Sequence, residues 1–396
     1  MNQNLRTLFL LDDDVVFLNH GSFGACPRPV FEAYQAWQLK LERQPVAFLD
    51  PDRGLSGWMR DARTALATEL GANPNDIVGV MNATYGLNVV AQSLDLKEGD
   101  EILTTDHEYA ALEKTWAYVA RRTGAKITVV KVPLPLNNEA SFTETLRNGL
   151  TKRTRVLFLS HITSATALVF PIENIVAEAR DRGIYTVIDG AHTPGHIPLN
   201  LDALGADFYA GNCHKWLMAP KGSAFLYVRP ELQVMINPLV ISHGWTIDQQ
   251  NPAPFGNTPF VDGLEMQGTR DPSAWLTVPN AINFRASHHW DQVAADCRRL
   301  AQSTASRVAA FTGLPPFSTP AFCAPQMVAM PVPDCDPAAL KLSLLNDFNI
   351  EIPCFKWKDH TIVRLSVQGY NAQAQIDQLI AALKEVLPSA QTTRVN

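Results

Sequence analysis

The chain has 396 residues, 46% hydrophobic and 18% charged, and its 33 lysines and arginines against 39 aspartates and glutamates leave a formal charge of −6. That length and apolar content can bury a large core in more than one domain, and the lack of a basic run excludes the usual nucleic-acid binders. Six scattered cysteines without a CxxC pair suit reduced thiols in a cytosol rather than a disulfide framework or a zinc site.

In chain order, the apolar run at 8–11 is too short for a signal-peptide core, and no stretch reaches membrane-spanning length. A cytoplasmic protein is expected. Val15 to Leu18 precede Asn19-His20-Gly21-Ser22-Phe23-Gly24, where two glycines and Pro27 predict a turn before a helix over 30–43. Glycine allows a backbone to approach a ligand closely, so this turn reads either as a plain connection or as the edge of a site. A helix over 55–70 is closed by Gly71, and 77–80 reads as a buried strand. Asn82-Ala83-Thr84 then opens a helix through Ser93. Small residues at a helix N-terminus leave N–H groups at a positive dipole end, which suits a phosphate, although a threonine there is also an ordinary cap.

A strand at 101–104 is followed by Asp106-His107-Glu108-Tyr109, at the carboxyl end where open α/β sheets collect ligands. Strands at 126–132 and 155–160 alternate with helices over 141–150 and up to Arg182, which Gly183 closes. This alternation predicts an α/β fold with a mainly parallel sheet covered on both faces.

The stretch from Thr186 to Val228 carries most of the chemistry. One strand ends in Asp189, the next in Asn212-Cys213, and His214-Lys215-Trp216 follows before a third strand. A lysine amine can hold an aldehyde when unprotonated, and a carboxylate can keep a pyridine nitrogen protonated. Acid and lysine at successive strand ends therefore fit pyridoxal 5′-phosphate. The ring nitrogen would also give a buried Asp189 the cation it otherwise lacks. Lys221, in a Pro-Lys-Gly turn, is the competing lysine and reads as a surface-loop residue. Further on, 251–268 holds several Pro and Gly residues and reads as a loose connection between domains.

DGAHTPGHIPLNLDALGADFYAGNCHKWLMAPKG, with FLNHGSFG near the start and VRLSVQGYN near the end, resembles the class V branch of fold type I pyridoxal-phosphate enzymes, in its isopenicillin N epimerase-like group. The resemblance implies a large domain over 30–277 with a mainly parallel seven-stranded sheet, and a smaller α+β domain from 1–29 and 278–396. It implies pyridoxal 5′-phosphate as cofactor, carried by Lys215, with Asp189 on the pyridine nitrogen and Tyr109 stacked on the ring. His107 is the second choice for stacking. Ala83, Thr84 and His214 are assigned to the phosphate, together with Thr269 from a neighbouring subunit, which implies a homodimer with shared sites. His192 stands where cysteine desulfurases of this class carry Gln and is assigned to the phenolic oxygen or ring. Ser164 replaces their Asn, a departure at the phenolate hydrogen bond. Arg364 matches the arginine that holds the substrate α-carboxylate. Arg270 is assigned to a polar substrate tail, and His20 lies in the segment beside the substrate. No metal is implied.

The resemblance implies that Lys215 removes the Cα proton of an amino acid or an amino-acid-containing small molecule. Epimerisation, C–S β-elimination as in hercynylcysteine sulfoxide lyases, and transamination all begin there. The closer likeness to the epimerases favours the first. Sulfur transfer would need a nucleophilic cysteine on a mobile loop; Cys323 and Cys335 lack the family's local pattern, and Cys354 reads as a strand thiol. A non-catalytic cofactor-binding protein would not need lysine, acid and arginine together.

Overall fold

Unbroken apolar runs such as Val-Leu-Phe-Leu at 156–159 are what a strand buried on both faces requires. In the computed structural model, which describes residues 5–247 and 253–392 with side chains to 388, these runs form a seven-stranded sheet. Its spatial order is Ile77–Val80, Ala224–Val228, Phe208–Asn212, Tyr185–Asp189, Thr154–Ser160, Glu101–Thr105 and Lys126–Val130. Ala224–Val228 runs antiparallel to both its neighbours, and the other strands share one direction. Ser160 pairs with Asp189 and Asp189 with Ala210, so three strands end at nearly one level. That shared edge is where the site forms.

Helices cover both faces. Leu87, Val90 and Trp116 pack against Val78, Phe158 and Leu226 on one side, while Leu159, Ile188 and Tyr209 join Trp216 and Phe170 on the other. The predicted α/β class and mainly parallel sheet are both present. Helix starts shift where a cap overrides periodicity. The helix expected over 141–150 is Glu139–Gly149, because Asn138 accepts from the amides of Ala140 and Ser141.

The loose connection expected over 251–268 is not what the chain forms. Residues 251 and 252 lie outside the described residues, but Pro259–Glu265 is a buried α-helix capped by the Thr258 side chain. Proline at a first helical position is favourable, so Pro259 begins a helix where composition suggested a loop. Glu265 then closes a buried ion pair with Arg63, at 2.5 Å.

Met327–Val332, His360–Ser366 and Cys354–Trp357 form a separate antiparallel sheet with its own apolar cluster. Val16–Phe17 pairs in parallel with Ile350–Glu351, and Asn371 Nδ2 donates to the Phe17 carbonyl at 2.9 Å. The two ends of the chain are thereby joined, and the segment after Phe17 is led to the edge of the large sheet. Among the described residues no helix is long and apolar enough to cross a membrane, and no acid, histidine or cysteine cluster could hold a metal ion.

Candidate active site

A cavity of about 610 Å³ opens at the carboxyl ends of the parallel strands, lined by Thr84, Tyr109, Asp189, His192, His214 and Lys215 among others. Lys215 sits in a tight turn after the Phe208–Asn212 strand, held by the Met218 N–H on its own carbonyl at 3.1 Å. Its Nζ lies 2.9 Å from His192 Nε2. Burial first, and then the charge of Arg364, lower the Lys215 pKa against the opposing pull of Asp189. The amine is thus kept within reach of its unprotonated form.

Asp189 is buried at the end of its strand, and its Oδ1 accepts the Ala191 N–H at 2.9 Å. Burial raises its carboxyl pKa, which the Ala191 N–H and Lys215 oppose. Beneath it, Glu108 is also buried. It accepts from Thr105 Oγ1 at 2.6 Å, from Ser160 N at 2.8 Å and from Ser160 Oγ at 2.6 Å. Burial drives Glu108 up to about 7, with the neighbouring Asp189 pushing in the same direction.

Tyr109 caps the Ala110–Thr123 helix and is 45% exposed, an open aromatic face on the cavity. His107 is turned away from it. Its ring is buried against Trp357 with centroids 4.5 Å apart, and Nδ1 bonds Thr166 Oγ1 at 2.8 Å. The helix Ala83–Ser93 points its N-terminus at the cavity, but the Ala83 N–H already donates to Asn212 Oδ1 at 2.9 Å. Ala83 therefore has no amide hydrogen to offer a phosphate, and Thr84 is left at that rim. His214 lines the cavity with its Nδ1 3.2 Å from the Ser223 carbonyl.

Arg364 is 6% exposed and meets only neutral oxygens. Nη1 donates to the Ser164 carbonyl at 2.6 Å and to Ser164 Oγ at 3.2 Å, while Nη2 donates to Ser22 Oγ at 3.0 Å. Its Nε is buried without a partner. Burial lowers its pKa to about 10, so it is still a cation at neutral pH. A buried cation held by neutral groups alone is a site for an anion. Ser164, expected near the phenolate, instead engages its hydroxyl with Arg364.

Two further expectations fail within this chain, and a third concerns the neighbouring subunit. His20 does not line the cavity. It is fully buried beneath Lys215, with Nδ1 3.0 Å from Tyr370 Oη and Nε2 3.0 Å from the Lys215 carbonyl, so neither nitrogen is open to a substrate. Lys221 is more than a surface-loop residue: it lines the Lys215 cavity and its Nζ donates to the Gly24 carbonyl at 2.8 Å. Thr269 and Arg270 line a second cavity, also about 610 Å³, and Arg270 Nη2 leans on the Glu265 carbonyl at 3.4 Å. They are not brought to Lys215 in one copy of the chain.

Gly24 explains the HGSFG turn. At φ +72°, a Cβ added there would lie 2.0 Å from the His214 carbonyl oxygen, so only glycine lets this segment pass beneath the lysine turn. Ser22, Asn212 and Glu108 carry no local signature in sequence. Each acquires its part from a partner distant in the chain. None of the six cysteines lines the Lys215 cavity.

The donor set fits pyridoxal phosphate. A lysine held near neutrality, a buried carboxylate without a bonded cation, a helix N-terminus and an exposed aromatic face share one cavity, and a carboxylate-seeking arginine is bonded to Ser22 and Ser164 of its lining. Fold and site together define a fold type I pyridoxal-phosphate enzyme. Residues 27–379 match the family described as aminotransferase class-V, and the chain belongs to that family. It is 38% identical to the isopenicillin N epimerase of Amycolatopsis lactamdurans, over 97% of this chain and 98% of that one. The isopenicillin N epimerase of Streptomyces clavuligerus is 34% identical, with 96% and 97% covered. Among solved structures, a cysteine desulfurase of Escherichia coli superposes with a TM-score of 0.82 at 24% identity, over 98% of this chain and 99% of that one. The protein is a pyridoxal-phosphate-dependent enzyme.

Proposed function

We propose that the enzyme inverts configuration at the α-carbon of an amino-acid-containing small molecule with a polar extended side chain, as an isopenicillin N epimerase-like epimerase. The observation that carries this reading is the Lys215 amine, 2.9 Å from neutral His192, in a cavity whose lining residues Ser22 and Ser164 hold the uncompensated Arg364. The likeness to two epimerases over nearly the whole chain supports inversion over the other outcomes.

Pyridoxal phosphate, when bound, supplies the electron sink for negative charge at Cα. Lys215 would hold the cofactor and, when free, would serve as the base for the Cα proton. Asp189 would pair with the pyridine nitrogen. Thr84 and His214 would hold the phosphate, and Tyr109 would cover the ring. Arg364, oriented by Ser22 and Ser164, grips the α-carboxylate with its planar fork and fixes which Cα bond faces the lysine.

The active assembly is a homodimer in which Thr269 reaches the partner's phosphate and Arg270 the substrate tail. Val46, Val240 and Ile241, exposed by 73%, 50% and 58%, supply apolar surface for that contact. The large domain spans 30–277, and the small domain comprises 1–29 and 278–396. The enzyme works in the cytoplasm.

Borohydride reduction of the holoenzyme, followed by peptide mapping, should place the cofactor on Lys215. Incubation of amino acids and short peptides in heavy water should then give Cα exchange with inversion. Steady release of pyruvate and ammonia from a Cβ-substituted cysteine, without inversion, would mark a C–S lyase. Accumulation of the pyridoxamine form, discharged by an added keto acid, would mark an aminotransferase.

A further inference from the structure

Lys215 stands above a web of buried rings whose proton positions are dictated by their neighbours. His196 faces the His192 carbonyl through Nδ1 at 3.0 Å and accepts the Gln326 amide N–H at Nε2, also at 3.0 Å. A carbonyl only accepts and an amide N–H only donates, so His196 carries its proton on Nδ1. In His20, Nδ1 takes the Ala25 N–H at 3.3 Å, and the proton sits on Nε2, toward the Lys215 carbonyl. Burial keeps both rings neutral, bringing each down to about 3.

Between these imidazoles lies the indole of Trp216, fully buried. It stacks on His196 with centroids 3.9 Å apart and 22° between planes, and His20 flanks it at 5.0 Å. The stack aims the indole N–H, which donates to His192 Nδ1 at 3.3 Å. Indole nitrogen is a donor only. His192 is held neutral by burial and by the charged or titratable groups around it, namely Lys215, Arg364, His196 and His214. A neutral imidazole that accepts at Nδ1 bears its proton on Nε2, and Nε2 is the atom 2.9 Å from Lys215 Nζ. Nζ can accept that proton's hydrogen bond only through its lone pair.

We propose that Trp216 is a positioning residue: its indole N–H locks His192 in the Nε2–H tautomer, which holds the Lys215 amine in its unprotonated form. This rests on the reading of Lys215 as the cofactor lysine and base. Without the indole N–H, the other tautomer becomes available to His192. That tautomer turns an acceptor toward Nζ and favours the ammonium.

The test is imidazole-nitrogen NMR on the full chain, labelled at histidine, before cofactor is added. It is paired with the pH dependence of Lys215 acylation by an amine-directed reagent. The parent should show His192 protonated on Nε2. In Trp216→Phe, which keeps a ring on His196 but removes the N–H, the proton should move wholly or partly to Nδ1. The acylation midpoint of Lys215 should then rise by about one unit. A parent with His192 protonated on Nδ1, or on both nitrogens, overturns the proposal without any variant having to fold. So does a Trp216→Phe protein whose His192 signature, or whose Lys215 midpoint, is unmoved. Cofactor trapped by borohydride on a residue other than Lys215 would instead remove the functional reading and leave the tautomer lock standing.

Discussion

Two cavities of about 610 Å³ each open on this chain, and they differ in finish rather than in size. Around Lys215, polar side chains are tied into the structure, as His192, Asp189 and Arg364 show. Around Thr269 most of the wall is apolar, as Leu49, Leu55, Met59 and Phe255 show, although Glu265 there is tied to Arg63, and Val240 and Ile241 are exposed. The first already gathers lysine, acid and imidazole within one copy of the chain. The second, on the proposed homodimer, is a half-site that the partner covers. Volume therefore does not distinguish a reaction centre from an interface, whereas the chemistry of the lining side chains does.

The comparison breaks first at Arg364. If the Lys215 cavity binds its substrate by the α-carboxylate, Arg364→Lys keeps a charge but loses the planar fork. Amino-acid turnover should fall on the order of 10²-fold, as expected for a substrate held slightly out of line. The matching decarboxylated amine should bind equally to parent and variant. Steady-state kinetics with both ligands checks this, and an equal loss for amine and amino acid would take Arg364 out of the site.

The second cavity is sharpened by Thr269→Val. One hydrogen bond to a phosphate of the partner's cofactor is worth about tenfold in affinity. Cofactor retention on gel filtration should weaken by that factor with the melting temperature unchanged. A monomer that keeps its cofactor fully would refute the half-site.

The smallest effect concerns Glu108, beneath the finished cavity. Its folded pKa of about 7 stands above its ordinary 4.5, so the folded chain binds the extra proton between those values. Stability from this group is therefore full below its ordinary pKa and is lost as pH rises through about 7. Glu108→Gln should flatten that pH dependence by a few degrees of melting temperature, read by calorimetry. An identical slope in the variant would mean the carboxyl is ionised throughout.

Much of the large sheet is legible in sequence because its strands are apolar runs and its helices have clear stops, as at Gly71 and Gly183. Asp189 and Lys215 are legible for a related reason: both follow strands whose ends can be counted, and their chemistry is specific. His20 is misread because nothing local tells that Val16–Phe17 pairs with Ile350–Glu351 and carries the imidazole under the lysine. Ala83 is misread because the claim on its amide comes from Asn212, more than a hundred residues away. Glu108 is silent for the same reason, since Ser160 decides its surroundings. Pro259–Glu265 is hidden by its own proline, which reads as a breaker and serves as a start.

The parallel pairing of Val16–Phe17 with Ile350–Glu351 also bears on how the enzyme is made. On the ribosome the amino-terminal strand emerges early and waits for its partner through most of translation. Ser22 waits likewise for Arg364, and His20 for Tyr370. A chain that stops before residue 350 lacks the strand that pairs with Val16–Phe17, the arginine that Ser22 holds and the tyrosine hydroxyl that His20 meets. The arginine beside the cavity and the tyrosine that holds His20 are thus supplied only by the last stretch to be synthesised.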